Sequence, residues 1–494
     1  MNSPLFLASL LLTLPAALVA QPTVPPLVAV PEPTSPAAAG PARYPFQNPD
    51  LPLEQRVDNL VSLLTPAEKL ACWSASPSVP RLGIRGGLSQ LEGLHGVSQG
   101  GGGHWGGRGG RPTTTTVFPQ SVGLGETWDA PALRQAGAIE AHEIRYLYQS
   151  PSYRRGGLVI RAPNVDLARD PRWGRSEESY GEDAFLTGTL GVAFIRGLQG
   201  DDPNRWEVAA LMKHFLANSN EDTRTSSSSD FDERLLREYY SVPFRMGVIQ
   251  GGSRAFMTSY NAINGVPATM FPFVKDVAVR EWGQDGIVVT DAGALGFAVT
   301  AHHYEKDNAH AVADAVKSGG VTEFLDNARI YGPGFTDALA QGLLTQADID
   351  QTIRGNFRVM IRLGLLDPPE RDPYRSIGAN GETAPWLSER TRAFVRQLTD
   401  ESVVLLKNQD HFLPLDKSRV RSIAVVGQFS NVVVEDWYGG TPPNPVTPLQ
   451  GITDQAGPGV KINAAVGGDD AVRAAAASDV AIVCVGNHPD GGFD

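Results

Sequence analysis

An aspartate that ends an apolar run is the first residue whose placement suggests chemistry. In QDGIVVTDAGAL (284–295), Asp291 follows a β-branched run and precedes Ala292 and Gly293. Its carboxylate would project from a strand end with little steric cover. A carboxylate placed so suits attack on the anomeric carbon of a sugar, and it would equally serve to cap a following helix. KHFLANSNEDTR (213–224) sets Lys213 beside His214 and adds Asn218, Glu221 and Arg224 on the next loop. Their donors and acceptors can grip several hydroxyls of a small polyol, although Glu221 reads as readily as a salt-bridged loop residue. RDPRWGRSEESYGED (169–183) gathers Arg169, Arg172 and Arg175 around Trp173, next to Glu177, Glu178, Glu182 and Asp183. Most of that segment reads as an arginine–carboxylate lattice, with one arginine left to reach a sugar hydroxyl.

Those residues need elements that bring them together. From Leu51 onward, short apolar runs alternate with amphipathic stretches, the pattern of βα units around a parallel sheet. Strands are predicted at 87–91, 118–124, 158–163, 209–213, 254–259, 286–290 and 321–325, and helices at 130–148, 184–198, 233–250, 273–282 and 309–317. The spacing of roughly 30–45 residues suits a (β/α)₈ barrel; an open doubly wound sheet is the competitor. Several runs end in polar residues: Glu92 with His95, Asn164 with Asp166, Lys213 with His214, Tyr260 with Asn261, and Asp291. A barrel would converge all of these on one mouth, whereas each taken singly is an ordinary turn or cap residue.

The chain has 494 residues, with 42 Lys and Arg against 54 Asp and Glu, 41% apolar residues and two cysteines. That describes a soluble globular protein of more than one domain. The net charge of −12 opposes nucleic-acid binding. Cys72 and Cys484 are too few and too distant for a disulfide scaffold or a cysteine-rich zinc site, and both are expected to be buried. No histidine pair has metal-binding helical spacing, so neither a metal nor a cofactor is expected. The glycine-rich run 100–110 lacks the Lys-Ser/Thr ending of a phosphate loop and reads as a loop near the mouth. Residues 1–20 read as a signal peptide and 21–49 as a Pro/Ala-rich linker, which implies export to the periplasm or the extracellular space and no membrane contact after signal removal. The barrel is assigned to 50–366, an interdomain linker to 367–395 and an α/β sandwich domain to 396–494. In that last unit 401–408 reads as a helix end, 422–427 and 480–486 as strands and 470–477 as a helix. Two strands and one helix cannot close a sheet, so the second domain is expected to be incomplete.

Together EGLHGV (92–97), APNVDLARDPRWGRSEESYGED (162–183), KHFLANSNEDTR, MTSYNAING (257–265) and IVVTDAGAL resemble the retaining β-glycosidases of glycoside hydrolase family 3. The resemblance implies a barrel followed by an α/β sandwich with the site between them, and a substrate that is an oligosaccharide or an aryl β-glycoside. It implies Asp291 as nucleophile, and Glu92, Arg175, Lys213, His214, Arg224 and Tyr260 as the residues that hold the non-reducing-end sugar. KHFLANS in place of a KHFPGHG-like start disfavours the N-acetylglucosaminidase branch, and Ala292 after the nucleophile points to the β-xylosidase and related β-glucosidase branch. The acid/base glutamate of that branch lies in the sandwich domain, but no Glu follows Glu435 here. The expected activity is therefore removal of terminal xylosyl or glucosyl units, impaired by a missing proton donor. A silent sugar-binding protein and a glycoside phosphorylase are the rivals.

Overall fold

The computed structural model describes residues 43–74, 76–98, 114–325, 328–379 and 381–486. The signal peptide, most of the Pro/Ala-rich linker, the glycine-rich run 100–110 and the last eight residues lie outside them.

The strands run in chain order around a parallel array. Gln90–Glu92 pairs with Val159–Arg161, which pairs with Ala209–Ala210. One residue later the chain resumes as Met212–Phe215, which pairs with Ala255–Thr258, and that strand pairs with Ile287–Thr290. A parallel bridge from Val289 to Glu323 continues the array, and the Gln90 side-chain amide donates to Glu323 Oε1 at 2.8 Å, linking its two ends. A doubly wound sheet would reverse its order partway across; here each strand neighbours the next in sequence, which is the order of a barrel. Met212–Phe215, Ala255–Thr258 and Ile287–Thr290 are buried along their whole length, as strands covered on both faces must be.

Helices pack outside. Ala130–Gln149 starts on Asp129, whose carboxylate accepts from the Ala132 amide, and Ala184–Gln199 starts on Asp183, which accepts from Leu186. The predicted helix 233–250 forms in pieces: Glu233–Leu235, a π-helical turn Leu236–Tyr240 and Val242–Ile249, with Pro243 removing a backbone donor at the break. Helix 273–282 likewise reduces to the π turn Val274–Val279.

Two predicted strands are corrected. Residues 118–124 do not form one: Ser121–Glu126 is helical, and its buried Ser121, Leu124 and Gly125 fall at a helical period that the strand-like composition concealed. Residues 321–325 reduce to the single bridge at Glu323.

In the second unit Ser422–Val426 is the central strand, with Lys461–Ala465 on one side and Val480–Val483 on the other, all parallel. Three strands and two helices, Pro448–Ala456 and Gly468–Ala476, replace the two strands and one helix expected. Lys461–Ala465 escaped notice because KINAA has weak strand propensity. The expected helix end at 401–408 is also corrected: Glu389–Glu401 stops where the stretch begins, and Val403 to Leu406 continue exposed without regular structure. Cys72 is buried, whereas Cys484 is only half-buried.

Candidate active site

Every residue singled out for the sugar site stands at the C-terminal end of a barrel strand or on the loop that follows it. Glu92 ends its strand, Lys213 and His214 lie in Met212–Phe215, Tyr260 follows Thr258 by two residues and Asp291 follows Thr290. The structure brings all seven together.

Asp291 is buried, and its Oδ1 accepts from the Ala292 backbone amide at 2.7 Å. Tyr260 hydrogen-bonds the same carboxyl. Burial raises the Asp291 pKa above the ordinary aspartate value, against the opposing pull of Arg175, the Ala292 amide, Arg224 and Lys213. His214 Nε2 lies 3.8 Å from Asp291 Oδ2. That contact is no ion pair. Burial and the surrounding Arg175, Lys213, Arg224 and Arg161 hold the imidazole pKa well below its usual value. The neutral ring donates from Nδ1 to Asp166 Oδ2 at 2.7 Å and accepts at Nε2 from Arg175 Nη2 at 3.3 Å.

Opposite these residues, Glu92 accepts from Arg161 Nη1 at 2.7 Å and from Lys213 Nζ at 3.0 Å. Burial alone would push its pKa up, but the charges of Lys213 and Arg161 and their hydrogen bonds bring it below the usual glutamate value. Arg175 is held in plane by Glu178 through bonds of 2.6 and 2.8 Å. Of its two neighbours, Arg169 bonds Tyr240 and Arg172 folds back on Asp170 at the surface, so Arg175 alone of the three reaches the site. Arg224 pairs with Glu221 at 2.5 Å and lies 4.8 Å over the Tyr260 ring.

Two contributors were not anticipated. Arg161 is the charged last residue of an otherwise apolar strand, a signal visible in the sequence. Tyr438 comes from the loop after Ser422–Val426; its ring sits 4.2 Å from Lys213 Nζ and its hydroxyl accepts from Arg175 Nη2 at 3.1 Å. No pattern in the sequence connects it to the barrel. Among the described residues, no group of three or more His, Cys, Asp or Glu side chains is arranged to hold a metal ion, and no helix is long and apolar enough to cross a membrane.

A carboxylate at a barrel strand end, ringed by fixed hydrogen-bond donors and acceptors, places this chain among α/β-barrels with a polar site at the C-terminal mouth. Residues 103–359 match the glycosyl hydrolase family 3 N terminal domain and residues 403–494 the C-terminal domain of the same family; the chain belongs to that family. It is 32% identical over 458 residues to "Beta-D-xylosidase 3" of Arabidopsis thaliana, covering 89% of this chain and 58% of that protein. It is 31% identical to a "Beta-xylosidase" of Formosa agariphila, covering 89% and 62%. Among solved structures, a GH3 exo-beta-xylosidase in complex with a xylobiose aziridine activity-based probe superposes with a TM-score of 0.79 at 28% identity, over 90% of this chain and 58% of that one. A beta-glucosidase from Listeria innocua in complex with isofagomine gives 0.74 at 25% identity, over 89% and 64%. The chain thus spans less than two thirds of the length of these relatives.

Proposed function

We propose that the chain carries the barrel half of a retaining, exo-acting β-glycosidase site that takes a terminal β-D-xylosyl or β-D-glucosyl unit. The observation that carries this reading is Asp291: a buried carboxylate at a strand end, oriented by the Ala292 amide and Tyr260, 3.8 Å from His214 and within the field of Arg175, Arg224 and Lys213. Ionised Asp291 attacks the anomeric carbon as the bond to the leaving oxygen breaks, giving a glycosyl-enzyme that water then hydrolyses. Glu92 with Lys213, and His214 with Arg175, present an acceptor and donor pair each to the ring hydroxyls, while Arg224 steadies Tyr260. The similarity to the β-xylosidases of Arabidopsis thaliana and Formosa agariphila favours xylosyl over glucosyl.

Retention also requires a proton donor about 5–5.5 Å from the nucleophile. Glu92 and Glu178 are tied by charged hydrogen bonds to Arg161, Lys213 and Arg175, and Asp166 sits behind His214. None of these is placed as a general acid, a contribution worth about 10²–10⁴-fold. Dinitrophenyl β-xyloside, whose leaving group needs no proton, should give a burst of dinitrophenolate equal to the enzyme concentration, while an alkyl xyloside turns over at least about 10²-fold more slowly. Equal steady turnover of both would contradict the absence of an acid among these residues. No burst from either the xyloside or the glucoside would contradict the glycosidase reading itself.

A further inference from the structure

His95 belongs to the EGLHGV segment but takes no part in gripping the sugar. It is buried, and both of its ring nitrogens face acceptors. Nδ1 lies 3.1 Å from the Phe118 carbonyl, and Nε2 lies 3.1 Å from each oxygen of Asp436, a residue of the second unit. A neutral imidazole has one N–H and would turn a lone pair on one of those oxygens; with two acceptors, both nitrogens must donate. Asp436 is equally committed. Besides His95 it accepts from the Gln120 side-chain amide and from the backbone amides of Tyr438 at 2.9 Å and Gly439 at 3.0 Å, so its carboxylate folds the 436–439 turn around itself. Gly439 fits only as glycine, because a Cβ there would meet His95 Cε1 at 2.6 Å. The Leu94 amide donates to the Tyr438 carbonyl at 3.1 Å, and Thr114 bridges Thr441.

What this turn delivers is Tyr438, with its ring over Lys213 and its hydroxyl on Arg175. We propose that His95 and Asp436 form a charged clasp between the barrel and the second unit whose task is to set Tyr438 against Lys213 and Arg175, so that sugar affinity depends on the clasp being closed. His95, Asp436 and Tyr438 are positioning residues that act through Lys213 and Arg175, and the proposal rests on the sugar-site reading above.

The charged groups facing His95 are Asp436 on the turn and Glu178 on the 176–178 turn. Burial opposes the imidazolium, but the Asp436 charge and its hydrogen bond, the Phe118 carbonyl and Glu178 outweigh it and hold His95 above its usual value. Asp436 would be raised by burial and is instead held well below the usual range, with His95 the first cause. The clasp is therefore closed below the ordinary histidine range and opens as pH rises through the raised His95 value.

Isothermal titration of D-xylose into the full chain from about pH 6 to about pH 9 tests this, with histidine ¹⁵N NMR reporting the His95 ring directly. Wild type should show His95 protonated on both nitrogens at the lower end of that range and bind xylose about ten-fold more weakly once it loses a proton. Asp436→Asn should bind about ten-fold more weakly at the lower pH and lose the pH dependence. His95→Gln, which still donates to Asp436 without a charge, should recover part of the affinity with a flat profile. If Asp436→Asn does not fold, Tyr438→Phe decides, since it keeps the ring and drops only the hydroxyl; affinity equal to wild type overturns the proposal. A neutral His95 at about pH 6, or a folded Asp436→Asn that binds as wild type does at every pH, also overturns it. Loss of xylose and glucose binding in wild type with His95 doubly protonated would overturn the sugar-site reading and the clasp's role with it, a result distinct from normal binding that ignores the clasp.

Discussion

At the scale of single residues, the site separates two kinds of carboxyl group by environment. Glu92 is overwhelmed by Lys213 and Arg161 and stays ionised, a fixed acceptor. Asp291 has no such direct partner, and burial lifts it. Attack requires the ionised form, so glycosylation should fall as pH drops through the raised Asp291 value, at a pH above the ordinary aspartate range near 4. The pH profile of the dinitrophenolate burst checks this, and an acid limb at or below that ordinary range would contradict it. Asp291→Asn should bring the burst below about a thousandth of wild type while leaving xylose binding measurable, since Lys213, His214 and Glu92 are untouched. The sequence made Asp291, Lys213 and His214 legible because each ends an apolar run. It left Arg175 ambiguous among three arginines, and only folding decides which of them meets Glu178 and His214. Tyr438 was illegible: its partners Lys213 and Arg175 lie more than two hundred residues away, and nothing in DWYGG marks the contact.

At the scale of elements, apolar periodicity located the buried strands and long helices well, because burial on both faces leaves little choice of residue. It failed where the same residues serve another geometry. Residues 118–124 have strand-like composition yet bury a helical face, and KINAA forms a strand that composition does not favour. The barrel is fastened by charges as well as by apolar packing. Arg56, on the helix Leu53–Leu63, is fully enclosed, donates to the Phe46 carbonyl at 2.7 Å and pairs with Asp367, which also meets Arg205 at 2.5 Å. That buried pair ties the first described α-helix to the segment that follows the last barrel helix, Gln346–Arg362. Arg56→Met removes one partner and leaves the Asp367 carboxylate short of a donor, which should destabilise the fold by about 3 kcal/mol. Urea denaturation checks it; a loss within about 0.5 kcal/mol would show that Arg205 alone suffices.

For the whole molecule, the family resemblance implied a site between barrel and sandwich, and the structure adds which residue of the second unit reaches it, Tyr438. The loop carrying Asp436 and Tyr438 reaches the barrel, so the two family-matched segments meet at the residues that hold Glu92 and His214. The relatives are longer than this chain, and Glu92, Glu178 and Asp166 are each committed to the hydrogen bonds described above. The central claim, that Asp291 is a glycosidase nucleophile, is tested most directly by incubating the chain with dinitrophenyl 2-deoxy-2-fluoro-β-xyloside and mapping the adduct by peptide mass spectrometry. The fluorine slows hydrolysis of the glycosyl-enzyme, and dinitrophenolate leaves as the Asp291 oxygen bonds to the anomeric carbon. The expected result is one fluoroxylosyl group per chain, on the peptide that holds Asp291. Release of dinitrophenolate with the label on any other residue would contradict the account.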